Sequence, residues 1–291
     1  MKVKEIIDSG KLGRIISIEH DECVGDIHQT HSFVRGNWGN SKNSSSMLLQ
    51  KCCHDIDVLQ WFIGKKCKRV QSFGSLTYFN EDNAPKGAPT YCAEGCPVGE
   101  TCYYNAVKLY HDSHDDVWFR SAAAKKYDPT DEEIWKAITT TQYGKCVFKC
   151  DNDVVDHQVV NMEFEDGCLV SFHMSAFNEG GRHIRIMGTK GELIGAAGKR
   201  MLDFFSFDTR EHEEIDTKAT VLGETLVSGH GGGDTGIINT LYSYLTDKIG
   251  AEGLSEIGIS VDNHMITFAA EESRLTGKVV NIEEYSLSNQ Y

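Results

Sequence analysis

Val159-Val160-Asn161-Met162-Glu163-Phe164-Glu165-Asp166-Gly167-Cys168-Leu169-Val170-Ser171-Phe172-His173-Met174-Ser175-Ala176 is the stretch that decides the fold. Two strand-length runs flank Glu165-Asp166-Gly167, where the glycine supplies the positive φ of a tight turn. Strands joined this closely are antiparallel, because a parallel crossover takes a dozen or more residues. In the second run Leu169, Ser171 and His173 fall on one face, and Val170, Phe172 and Met174 on the other, greasier one. A sheet of this kind buries one face on its own helices and leaves the other open to a second subunit.

The same grammar continues outward. Residues 146–150, 183–187, 192–195 and 202–207 are further strand-length segments, and Gly188-Thr189-Lys190-Gly191 is another turn. Upstream, residues 4–9 read as a short helix ending at Gly10, 14–22 as a half-buried strand, 47–62 as a helix and 70–79 as a strand. Residues 103–110 and 131–140 read as short helices, and helices over 234–249 and 260–275 close the chain. The expected fold class is α+β, a large, mainly antiparallel β-sheet with helices packed on one face, as a single domain over 1–291.

Composition narrows the function. The 291 residues carry 29 Lys+Arg against 43 Asp+Glu, a net charge of -14, which repels nucleic acid. Lys65, Lys66, Lys68 and Arg69 form the main basic cluster and read as a solvated corner. No apolar run approaches a membrane span and no signal peptide begins the sequence, so neither a membrane partner nor secretion is expected. The ten cysteines then read as cytoplasmic thiols. Cys92, Cys96 and Cys102 are closely spaced and leave three readings open: a metal site whose fourth ligand is Cys67, His111 or His114, free or packed thiols, or a disulfide.

A dinucleotide fingerprint, Gly-x-Gly-x-x-Gly between a strand and a helix, does not occur. Gly229-His230-Gly231-Gly232-Gly233-Asp234 has the wrong spacing and reads as a flexible turn into an N-cap aspartate. In order, Leu12-Gly13-Arg14-Ile15, Lys51-Cys52-Cys53-His54-Asp55-Ile56-Asp57, residues 150–158, Gly188-Thr189-Lys190-Gly191-Glu192-Leu193, residues 229–234 and Ala270-Glu271-Glu272-Ser273-Arg274 resemble the C-terminal, substrate and oligomerisation domain of the Gfo/Idh/MocA oxidoreductases. The resemblance implies a sugar or cyclitol substrate for the complete enzyme, NAD or NADP as its cofactor, and self-association through the open sheet face. It also implies a preceding nucleotide-binding domain that this sequence does not contain, so that the chain alone is expected to bind no dinucleotide and to be inactive. Two alternatives stand beside it: an NAD-dependent glycosidase of the same family, and a non-catalytic binding or assembly module.

Oxidising a secondary alcohol requires a base for the hydroxyl proton, and a histidine suits this. His54 is the candidate; on the expected helix, Gln50 and Asp57 share its face. By the resemblance, Gln50 stands where many family members have an aspartate and orients a substrate hydroxyl. Lys51 is a further substrate-binding candidate, although Lys51 and Asp55 also form an i, i+4 pair that reads as a surface contact. Arg35 and Trp38 serve either a polyol site or a loop anchor. Asp153, Asp156 and His157 sit at a strand entry, where turn formation competes with a substrate-binding role for His157.

Overall fold

The alternation that places Val170, Phe172 and Met174 on one side carries through a nine-stranded sheet in the computed structural model, which describes residues 2–197, 199–217, 233–248 and 257–289. The strands are β1 (Ile15–Cys23), β2 (Cys67–Ser75), β3 (His157–Phe164), β4 (Leu169–Ser175), β5 (Gly181–Gly188), β6 (Gly191–Ala196), β7 (Met201–Ser206), β8 (His212–Asp216) and β9 (Val280–Asn281), in the order β8-β7-β6-β5-β1-β4-β3-β2-β9. Every pair is antiparallel except β1 with β4, which are parallel because they meet across the chain instead of through a turn.

The helices are α1 (Lys2–Asp8), α2 (Asp26–Gln29), α3 (Met47–Ile63), α4 (Val117–Ala124), α5 (Asp131–Thr140), α6 (Gly233–Leu245), α7 (Ile257–Thr276) and α8 (Ile282–Ser288). α3 and α7 cover one face of the sheet. Their apolar stripes meet Ile18, Val70, Val160, Met162, Val170 and Phe172 in the main core. A separate wing, residues 76–150, packs two smaller cores of its own, one around Phe79, Tyr104 and Phe148, the other around Tyr110, Ile134 and Ile138. Among the described residues no helix is long and apolar enough to cross a membrane.

Several expectations need correction. Residues 146–150 are not a strand. They make a turn, with Lys149 N donating to Cys146 O, and bury Cys146, Val147 and Phe148 in the wing, where side-chain packing replaces a ladder. The strand expected over 70–79 ends at Ser75, because Thr77 N and Tyr78 N turn aside to donate to Asp156 Oδ2. The helix expected over 103–110 starts later, as a π-helical turn over Val107–Asp112. β8, β9, α4 and α8 were not anticipated. Residues 229–232 and 249 lie outside the described residues, and with them the expected glycine turn and the last residue of the helix expected over 234–249.

Candidate active site

β1 turns His20 and Glu22 toward the covered face, where apolar Ile18 precedes them at the same period. In the β1–β5 register Glu22 lies opposite Arg182. α3 crosses above, started by Ser46, whose side chain accepts from Leu49 N, and ended by Gly64 in the left-handed conformation. Its buried stripe runs Leu48, Cys52, Asp55, Ile56 and Leu59, so one carboxylate occupies a position whose neighbours along the helix are apolar. The two elements thereby enclose a charged network under an otherwise hydrophobic helix.

Asp55, 2% exposed, is its centre. Its Oδ1 accepts from His20 Nε2 at 2.9 Å and from Arg182 Nε at 2.6 Å, and Oδ2 accepts from Arg182 Nη2 at 3.3 Å. Glu22, equally buried, has Oε1 at 3.1 Å from Lys51 Nζ and Oε2 at 2.7 Å from Arg182 Nε. Since that Nε–H is directed at Asp55, Glu22 Oε2 is left with a close charge and no hydrogen bond. His54 sits at the rim, half exposed, with Nε2 at 3.1 Å from Asp55 Oδ2 and accepting from Arg182 Nη2. An arginine N–H only donates, so this contact places the ring hydrogen of a neutral His54 on Nδ1.

The charges tune one another. Burial drives the Asp55 carboxyl upward, but the hydrogen bonds from His20 and Arg182 outweigh it and hold the group below its ordinary range. Glu22 moves the other way, raised by burial and by repulsion from Asp55, with Lys51 and Arg182 opposing. His54 is lowered by burial first, with Arg182 and Lys51 adding to it against the pull of Asp55. It is therefore held in its neutral, proton-accepting form. Glu22, His54 and Asp55 present oxygen and nitrogen atoms within 4.8 Å of one another, close enough to grip a cation. The Arg182 guanidinium already sits against both carboxylates and supplies that positive charge.

The sequence-derived candidates divide. His54 and Lys51 converge on this network. Gln50 lies one turn before His54, half-buried, with Nε2 donating to Ser45 Oγ at 2.9 Å. Asp57 turns to α7, where Asn263 Nδ2 donates to its Oδ1. The expected Lys51–Asp55 surface pair is not formed, because Asp55 is buried with His20 and Arg182 while Lys51 reaches Glu22. Arg35 is buried to 1% exposure, with Nε donating to Lys145 O at 2.8 Å and Nη2 to Tyr104 O at 2.6 Å, so it anchors the wing and its substrate-binding reading is withdrawn. Trp38 packs its ring, tilted by 31°, against that of Phe33 in the preceding π-helical turn, with centroids 5.7 Å apart. Asp156 caps the turn at Thr77 and Tyr78, while Asp153 holds Ser41. His157 bonds Asp156 at 2.7 Å and projects from β3 on the side opposite Gln158, hence on the open sheet face and away from His54.

His20, Glu22 and Arg182 escaped the sequence reading, and Asp55 entered it only as a surface partner of Lys51. Strand period carried the signal for two of them: in 14–22 His20 and Glu22 share the parity of buried Ile18, which marks polar groups turned into a core. His28 also borders the site. Burial and the Lys51 charge lower it to about 4, and its ring meets Trp118 edge-on at 5.6 Å.

Residues 4–248 match the family model described as the oxidoreductase family, C-terminal alpha/beta domain, of the Gfo/Idh/MocA group. The chain belongs to this family. A Bacillus subtilis (strain 168) protein named as an oxidoreductase, YteT, is 28% identical over 254 residues, which is 83% of this chain and 56% of that protein. The chain thus spans about half the length of the curated relative it matches. Among solved structures, a levoglucosan dehydrogenase in complex with NADH and levoglucosan superposes with a TM-score of 0.60 at 16% identity, over 96% of this chain and 62% of that one. Scyllo-inositol dehydrogenase from Lactobacillus casei, with bound NAD(H) and scyllo-inositol, gives 0.53 at 16% identity, over 97% and 61%. At these identities the likeness shows a shared fold.

Proposed function

We propose that this Gfo/Idh/MocA chain forms the substrate side of an NAD(P)-dependent oxidoreductase of sugars or cyclitols, with His54 as the group that takes the substrate hydroxyl proton. The observation that carries this reading is the half-exposed, neutral imidazole at the rim of a buried network of two carboxylates and two cations. A proton arriving on His54 Nε2 displaces one Arg182 N–H and gains the Asp55 oxygen 3.1 Å away as its acceptor. Lys51, part exposed and tethered to Glu22, presents a donor to polyol hydroxyls beside it. Asp55, Arg182 and His20 are positioning residues that fix the ring.

The described residues contain no glycine turn between a buried strand and a helix that would cradle a pyrophosphate, and the helix nearest the site has its first turn capped by Ser46. In this reading the chain holds the polyol and moves its proton, and a companion domain holds the dinucleotide. α6 offers that domain a surface, with Ile237, Ile238 and Leu245 at 70%, 63% and 69% exposure on one helix. The test is reduction of NAD or NADP by a panel of sugars and cyclitols, with this chain joined to such a domain. His54→Ala should lower turnover by roughly 10²-fold or more while leaving the fold intact. Equal turnover would remove His54 from the chemistry, and release of an aglycone from aryl glycosides without net cofactor reduction would replace the dehydrogenase reading by the glycosidase one.

A further inference from the structure

The wing brings together thiols from two distant parts of the sequence. Cys92, Cys96 and Cys102 come from the segment before the π-helical turn at Val107–Asp112, and Cys146 comes from the turn that replaces the expected strand. All four line one cavity. The cavity admits about one water-sized sphere, 10 Å3, which is room for a single ion. Its other walls include Pro85, Pro89, Val98, Val147 and Phe148 together with Asn105, whose amide is already engaged by Gly99 O and Val107 N. The segment that carries the first three thiols has as regular structure only a one-turn 3-10 helix at Cys92–Glu94, and little of it is buried.

One further feature favours negative charge in this cavity, the neighbouring Arg35. It is fully buried, its Nη2 lies 3.7 Å from Cys92 Sγ, and its Nη1 has no hydrogen-bond partner. Among the described residues no carboxylate forms an ion pair with it; the groups that face it are Cys92, Cys150 and Tyr110. A buried guanidinium without a counter-charge is strongly unfavourable. Four thiolates around one dication carry net negative charge and supply what Arg35 lacks.

We propose that Cys92, Cys96, Cys102 and Cys146 bind one zinc ion as a tetrathiolate that pins residues 85–105 to the turn at 145–148, with Arg35 balancing its charge. Four sulfur ligands select a thiophilic, tetrahedral ion, and zinc meets both conditions without redox chemistry. No three of these sulfurs lie within 4.8 Å of one another. Ligands at about 2.3 Å from one zinc stand roughly 3.8 Å apart. Binding therefore requires the four sulfurs to draw inward, displacing four thiol protons.

The full chain, purified without chelator or metal-affinity resin from zinc-replete cells, should hold about one zinc by elemental analysis. Cys146→Ser and Cys96→Ser should each lose it, and Cys150→Ser, whose sulfur bonds the Cys146 carbonyl from outside the set, should keep it. Because a serine variant can fail to fold, wild-type protein carries a second readout. Stripping with a chelator should open residues 85–105 to limited proteolysis, and zinc but not magnesium should close them again. Cobalt added to the stripped protein should give the intense thiolate-to-metal absorption of a tetrahedral sulfur site. Wild-type protein with no metal and no cobalt uptake after reduction would overturn the assignment, as would zinc retained in Cys146→Ser, a native disulfide among the four, or iron accompanied by acid-labile sulfide.

Discussion

Asp55 and His31 show how far single residues depart from what their types suggest. An aspartate in an apolar helical stripe is tolerable only when its charge is met, and three donor groups, His20, Arg182 Nε and Arg182 Nη2, meet it. His31 is the reverse case, a basic group kept neutral. Its ring packs between Phe119 at 4.3 Å and Trp118 at 5.0 Å, and its Nδ1 bonds Tyr110 Oη at 3.0 Å. Burial, then the charges of His28 and Arg35, lower it from 6.5 to about 3. A group whose folded value is depressed contributes stability that is complete above its unfolded value and is lost as pH falls toward the folded one, because the unfolded chain then binds the proton and the native state refuses it. Stability should therefore decline between pH 6.5 and about 3. Urea midpoints measured across that range should fall less steeply for His31→Phe, which keeps the ring packing and removes the titration; parallel slopes would show that His31 does not titrate in the native state as described. The sequence displays His31 and His54 equally as histidines in polar surroundings, and only the arrival of Trp118, Phe119 and Tyr110 from the wing separates a core ring from a rim one.

At the scale of elements, the strands from β3 to β7 were legible because period two survives in each run and because short turns leave antiparallel pairing as the only solution for β3–β4, β5–β6 and β6–β7; between β4 and β5 the long-range partner β1 inserts instead, which no local signal announces. The wing was not legible. Residues 146–150 have the apolar content of a strand, yet Val147 and Phe148 are buried by Phe79 and Tyr104, which lie more than forty positions away and carry no local signal. β8 was missed for the opposite reason: His212-Glu213-Glu214-Ile215-Asp216 looks like a solvated loop, and an edge strand needs little apolar content when its pairing with β7 supplies the hydrogen bonds. The closeness of the β6–β7 pair yields a prediction. A methyl group placed on Gly191 would meet the Phe204 ring and the Phe205 carbonyl oxygen, each at 2.6 Å, so neither neighbour has room. Gly191→Ala should destabilise the chain by about 1–3 kcal/mol in urea unfolding. An unchanged midpoint would mean that the hairpin relaxes and that the β6–β8 end of the sheet packs less tightly than described.

For the whole molecule the question is what the uncovered face of nine strands does. An antiparallel sheet can face water on one side, so openness alone argues nothing. The residues on it do: Phe73, Leu169 and Ile194 project from β2, β4 and β6 with 57%, 56% and 44% exposure. Between them part of the charge is paired within the sheet, Arg69 with Glu163 and Arg185 with Glu192, Arg185 also lying 3.6 Å from Glu19. A face that joins spaced apolar side chains to charges with partners on the same sheet costs less to desolvate than one of isolated ions, which favours a self-complementary interface. Light scattering at micromolar concentration should then return a mass above the 32.4 kDa of one chain. Leu169→Glu puts a new, unpaired carboxylate at the centre of that face and leaves the covered side untouched, since Val170 and Phe172 carry the core. The variant should fold normally by circular dichroism and scatter as a single chain. A wild-type mass of 32.4 kDa would refute self-association through this face, and an assembled Leu169→Glu would move the contact elsewhere, with the exposed apolar side chains of α6 the next surface to substitute.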